Sequence, residues 1–233
     1  MKRVLFILGL FISSIAYSQT QWKDFIGSFP KIDVPFALDV RIVKKTILIS
    51  RNDAWKYIIE PATRINALKK TDLSHSFPID SIIVYNYHQW DNLDLNKKDT
   101  LEFYSPLIGY RISGLAKFTI NQNFQGIIWY LYPGKEMNIS FGSKACFWLF
   151  TYDKNGNVTD IVELNSEEGN YSMCLVCSSY SICRAYYSNS KINLRINEVT
   201  ISPINEDDYS PDAKTEKKYS ETTYVIGDNG LIK

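Results

Sequence analysis

Through the middle and end of the chain, apolar positions recur at every second residue or in short unbroken runs, the periodicity of strands rather than helices. The clearest unit is "KACFWLFTYDKNGNVTDIVEL". Two apolar runs flank Asn155-Gly156, a dipeptide that accepts positive φ at both central positions of a type I′ turn. The pattern predicts a hairpin pairing 145–153 with 158–164. Its first run is almost continuously apolar, which predicts cover on both faces. In the second, Val158, Asp160 and Val162 alternate with Thr159, Ile161 and Glu163, so neither face is purely apolar. "GIIWYLY" is a similar apolar strand and is followed by a turn at Pro133-Gly134. "FPIDSIIVYNYHQWD" and "TLEFYSPLIGYRISGLAKFTI" predict further strands. In "KINLRINEVTIS", Ile192, Leu194 and Ile196 share one face, then the apolar parity moves to Val199 and Ile201. That shift predicts a bulge near Asn197 or Glu198. "NEDDYSPDAKTEKKYS" reads as a charged loop, and "ETTYVIGDNGLIK" as a last strand with an Asp-Asn-Gly turn.

Upstream the pattern is less regular. "SFPKIDVPFALDV" carries Pro30 and Pro35, which suit an extended lead-in or an edge strand. "KKTILIS" reads as a strand. In "RNDAWKYIIEPATRINALKK", Asn52 or Asp53 can cap a short helix that Pro61 breaks or restarts. Together these elements predict a mainly β chain: an antiparallel β-meander, as a sandwich or a curved sheet, with one or two short helices near residues 53–69. Part of a propeller fits the same pattern. The expected organisation is a signal peptide at 1–18, then one β-rich domain over 19–233 with a flexible charged loop at about 203–220.

The leading "MKRVLFILGLFISSIAYSQT" sets the compartment. Lys2 and Arg3 precede an apolar run, and Ala16 and Ser18 are the small residues required before a cleavage point, here after Ser18. The run is shorter than the ~20 residues of a membrane span. No cysteine sits at the cut, so a lipid anchor has no support. The mature chain is expected to be periplasmic or secreted, with no stable membrane insertion after cleavage and with disulfides permitted. Removing 18 of 233 residues leaves 215, and losing Lys2 and Arg3 moves the net charge from +1 to −1. Such a balance gives no bulk electrostatic case for a nucleic-acid partner. The 16 Tyr, 12 Phe and 5 Trp fit half-buried sheet surfaces.

Few residues suggest chemistry. Cys174, Cys177 and Cys183 cluster in "NYSMCLVCSSYSICRAYYSN", with Cys146 earlier. The Cys174/Cys177 spacing suits zinc, but a closed site needs four ligands, and the other candidates are Cys183, Cys146 and the distant histidines His75 and His88. A redox CxxC opens a helix, and none is predicted here. Strand parity places Cys174, Cys183 and Cys146 on one face, and a Cys174–Cys183 disulfide with Cys177 free competes with four buried, unpaired thiols. Asp153, Asn155, Asn157 and Asp160 imitate a calcium loop, but the loop's glycine and closing glutamate positions hold Val158 and Leu164. No metal or cofactor is assigned. His75 and His88 are the only histidines, and motifs of nucleophilic hydrolases are absent, so no catalytic residue is assigned. Trp129 and Trp148, in "IIWYLY" and "CFWLF", are candidates for a sugar- or peptide-binding platform with His88, against the plainer reading of core packing.

The signal ending in Ser-Gln, "FPKIDVPF", "TYDKNGNVTDIVEL" and "TTYVIGDNGLI" resemble uncharacterised exported β-rich proteins common in the Bacteroidota. The resemblance implies an exported protein and supplies no catalytic residues. The function expected is binding of a protein or glycan partner in the cell envelope, leaning away from catalysis. The alternatives are a hydrolase of envelope glycan or peptide, and an exported immunity or antagonist factor.

Overall fold

Apolar residues on both faces of one strand require two cores, and the fold provides both. The computed structural model describes residues 21–43, 45–47, 49–69, 110–133, 144–168, 177–205, 210 and 212–233. Among these, β2 (Tyr110–Asn121), β3 (Phe124–Pro133), β4 (Lys144–Asp153), β5 (Val158–Glu168), β6 (Ser178–Ser188), β7 (Lys191–Pro203) and β8 (Thr215–Ile226) pair in chain order. Every pairing is antiparallel, and β1 (Phe36–Asp39) adds to β6. The β5–β6 join holds only two residue pairs, Glu167↔Tyr180 and Glu168↔Ser179. About this narrow join the sheet folds over, and two four-stranded layers face each other. Phe118, Ile128, Phe147, Leu149 and Leu164 from β2–β5 meet Leu38, Cys183, Ala185, Ile192, Leu194 and Ile226 from β1 and β6–β8. The expected antiparallel meander with helical segments is therefore present, in its sandwich-like form.

The other face of β2–β5 is covered by helices. Helix α1 (21–27) presents Trp22, Phe25 and Ile26, with Phe29 just beyond, at helical spacing. They pack with Trp129, Trp148, Phe150 and Tyr152 in the second core. Lys117 on β2 donates through Nζ to the Ile26 carbonyl (2.5 Å), a cation at a helix C-terminal end. Burial holds its pKa below the ordinary lysine value. Among its described residues, the segment expected as a strand at "KKTILIS" makes one bridge, Ile47↔Gly114, on the edge of β2.

Short helices are present near 53–69 as expected, and Pro61 falls where the second begins. The helical run goes from α2 (Arg51–Ala54) through a π-helical stretch (Trp55–Ile59) into α3 (Glu60–Lys69). Its cap is Ser50, not Asn52 or Asp53. Ser50 Oγ accepts from the Asp53 amide (3.2 Å), satisfying one first-turn N–H, and donates to the Asp53 carboxylate (2.6 Å). Pro61 has no N–H, so the Tyr57 carbonyl cannot receive an α-helical bond from it. The Tyr152 hydroxyl donates to that carbonyl instead, at 2.6 Å. Burial, the dominant influence, drives the Tyr152 pKa well above its ordinary value.

Three local expectations are corrected. Gly156 has φ +86°, but Asn155 does not share the left-handed region, so the β4–β5 turn is not type I′. Asp153 Oδ1 takes the amides of Asn155 (2.8 Å) and Asn157 (2.9 Å), which fixes a longer turn with one left-handed residue. The two-residue turn with both φ positive is Asn189-Ser190, at +51° and +62°, between β6 and β7. Second, β7 carries no bulge: its register with both β6 and β8 is unbroken. Val199 and Ile201 therefore face away from the inter-layer core. Third, residues 215–220 are not loop but the start of β8, an edge strand whose charges suit an open edge.

Candidate functional site

A cleft of about 460 Å³ opens between α1, the segment ending at Ser50 and the first turns of α2. Its floor is Phe25, Phe29, Ile47 and Ile49, and its rim carries Gln21, Asp24, Ser28, Asn52, Asp53 and Lys56. The amphipathic spacing of α1 explains the floor. The aromatic residues that anchor the helix end at the cleft wall. Phe25 stacks on Tyr57 (4.4 Å between centroids), and Phe29 meets Trp129 edge-on (5.4 Å). Close approach at Gly114 lets Phe29 sit against β2, since a Cβ there would run into the Phe29 ring. On the rim, Lys56 Nζ donates to Gln21 Oε1 (2.9 Å), tying the two helical elements together. Asp53 is held by Ser50. Asp24 and Asn52 have no side-chain partner among the described residues and remain open to a ligand. The arrangement can receive an apolar or aromatic group on its floor and hydrogen-bond the surrounding polar atoms.

The residues singled out from the sequence lie elsewhere. Trp129 and Trp148 are 0% and 2% exposed and belong to the core under the helices, so neither forms a surface platform. Trp148 Nε1 donates to Cys146 Sγ (3.2 Å). Trp129 Nε1 makes no hydrogen bond of good geometry. His88, His75 and Cys174 lie outside the described residues.

The cysteine expectation is corrected. Cys146 and Cys183 are buried free thiols, and Cys177 is disulfide-bonded. Cys146 packs in the core under the helices and Cys183 in the core between the layers, so they do not share a face. Parity cannot be carried to Cys183, because Ser178–Ser188 is one continuous strand that meets β5 only at Glu167 and Glu168 and sets Cys183 opposite Leu38 and Ile196. Burial pushes the Cys183 thiol up to about 12. Among the described residues no cluster of metal-ligating side chains occurs. Asp153 of the calcium-like stretch is consumed by its own turn.

The pattern missed the cleft. Its signals were present: Trp22, Phe25, Ile26 and Phe29 at i, i+3, i+4 and i+7, and Ser50 as a helix N-cap residue. No protein-family model matches the chain, and no match to it is found among curated proteins or solved structures.

Proposed function

We propose that this is an exported binding protein that takes an apolar or aromatic group of a cell-envelope partner into the cleft beside α1 and α2. The observation that carries this reading is the cleft itself: an aromatic and aliphatic floor within a rim of carboxylate, amide and hydroxyl groups. The signal-like N-terminus and the resemblance to exported Bacteroidota proteins support the compartment. No described helix is long and apolar enough to cross a membrane.

The test is site-specific photo-crosslinking in the expressing cell. A photoreactive residue at Asp24 or Asn52 should give discrete adducts, while one at the exposed Leu231 should not. Equal labelling at all three positions refutes the cleft as a binding site. Intact mass of exported material should place the mature N-terminus at Gln19, and full retention of the leading segment refutes the export reading.

A further inference from the structure

We propose that the outer face of the β6–β7–β8 layer is a docking surface for an acidic, uronate-containing polysaccharide. The proposal is independent of the cleft.

Register defines the face. Because β7 is straight, Val199 and Ile201 point outward with Arg195, and their cross-strand partners point the same way. One row is Tyr180, Val199 and Tyr219; a parallel row is Arg184, Arg195 and Thr223. Tyr219 is 74% exposed, and Tyr180, Val199, Ile182 and Ile201 are half-buried. Tyr180 and Tyr219 stand two strands apart, about 10 Å by sheet spacing. Aromatic and branched apolar residues are therefore aligned on an outward face, where polar alternation is the ordinary solution.

Charge identifies the occupant. Arg184 and Arg195 sit directly opposite each other on neighbouring strands, an arrangement of like charges that opposes pairing. Arg195 is compensated: its guanidinium lies 3.6 Å from Glu221 and 5.5 Å from the Tyr186 ring centre. Arg41 lies 4.1 Å over the Tyr180 ring and is paired with Asp39. Arg184 and Lys217, opposite Ile201, have no partner among the described residues. The surface thus offers two uncompensated cations, Arg184 and Lys217, and one exposed ring, Tyr219; Arg41 already covers the Tyr180 ring. A carboxylate on Arg184 supplies the partner that Glu221 supplies to Arg195. The C–H face of a pyranose ring supplies the apolar contact that Tyr219 lacks. An acidic peptide matches the cations but not the ring, and a neutral glycan matches only the ring.

The experiment measures binding of polygalacturonate, alginate and hyaluronate by calorimetry to the full mature protein, with dextran and poly-glutamate as controls. At least one uronate polymer should bind saturably, more tightly than either control, and more weakly as salt rises. Arg184→Gln and Tyr219→Ser, both at exposed positions, should each weaken it at least tenfold with unchanged circular dichroism. Leu68→Ala, at an exposed helix position away from this face, should leave it unchanged. The proposal is overturned if no uronate polymer binds, if poly-glutamate binds equally and Tyr219→Ser has no effect, or if the two variants lower the melting temperature without any glycan binding. The last outcome would show the face covered by the chain itself.

Discussion

Removing one oxygen atom tests how the helix survives its proline. In Tyr152→Phe the ring remains and only the hydroxyl is lost from the seam between β4 and the π-helical stretch. Tyr152 is fully buried, and its hydroxyl is 2.6 Å from the Tyr57 carbonyl. Pro61 has no amide for that carbonyl, and no water can easily reach so buried a position. A buried acceptor stripped of its donor costs about 1–3 kcal/mol. For a chain of this size, a loss of about 2 kcal/mol lowers Tm by about 4–8 °C. The assay is urea unfolding of the wild type, Tyr152→Phe, Pro61→Ala and the double variant, with m-values required to agree. Pro61→Ala restores an N–H at the position four residues after Tyr57. In that background Tyr152→Phe should cost at least about 1 kcal/mol less than in the wild type. Additivity within about 0.5 kcal/mol refutes the argument, because the hydroxyl would then not be replacing the bond that proline removes.

Other expectations follow from turns and thiols. Ser190 occupies a left-handed position at φ +62°. Ser190→Gly should stabilise by about 0.5–1 kcal/mol through relief of that strain, and a lowered Tm refutes the turn assignment. Cys183 ionises at about 12 in the fold against 9.0 when free, because burial penalises the thiolate. The raised value means that its stabilising contribution is complete below pH 9 and is lost as pH climbs toward 12, by up to about 4 kcal/mol. Tyr152 shifts in the same direction, so the test is a difference: Cys183→Ala should lose stability less steeply than the wild type over pH 9–12, and parallel curves refute it. In alkylation mapping, Cys146 and Cys183 should label after denaturation alone, and Cys177 only after reduction. Labelling of Cys177 without reductant overturns its disulfide.

The meander was legible where the period-two pattern was unbroken. The run Ala145 to Tyr152 announced cover on both faces, and both faces are covered. Turn type was less legible, because it depends on a side chain rather than a dipeptide. Asp153 takes two amides and overrides the preference of Asn155-Gly156. The parity shift after Ile196 admits two physical solutions, a bulge or an outward apolar patch, and alternation alone does not choose between them. The cleft escaped notice because it is made by convergence. Phe25 and Phe29 lie on one element and Ile47, Ile49 and Asn52 on others, and only the packing of Trp22 against Tyr57 and Tyr152 brings them together. Cysteine faces were misassigned because Ser178 to Ser188 is one continuous strand that joins β5 only at Glu167 and Glu168, so alternation cannot be carried from Cys146 to Cys183.

The segment after β8 joins the two layers. The Asp228 carbonyl accepts from Asn121 Nδ2 (2.9 Å), the Gly230 carbonyl accepts from Thr151 Oγ1 (2.7 Å), and the Ile232 amide donates to Asp160 (2.8 Å). These partners are 107, 79 and 72 residues apart along the chain. Contacts of such separation carry a large loop-closure entropy, which ordering of the intervening strands reduces. The segment is therefore expected to close late in folding, so that it bears on the lifetime of the native state more than on the speed of reaching it. Thr151→Val keeps the side-chain shape and removes the donor to Gly230. It should accelerate unfolding while leaving the folding rate nearly unchanged, so that the persistence of the native fold would rest on a few hydrogen bonds made by this segment.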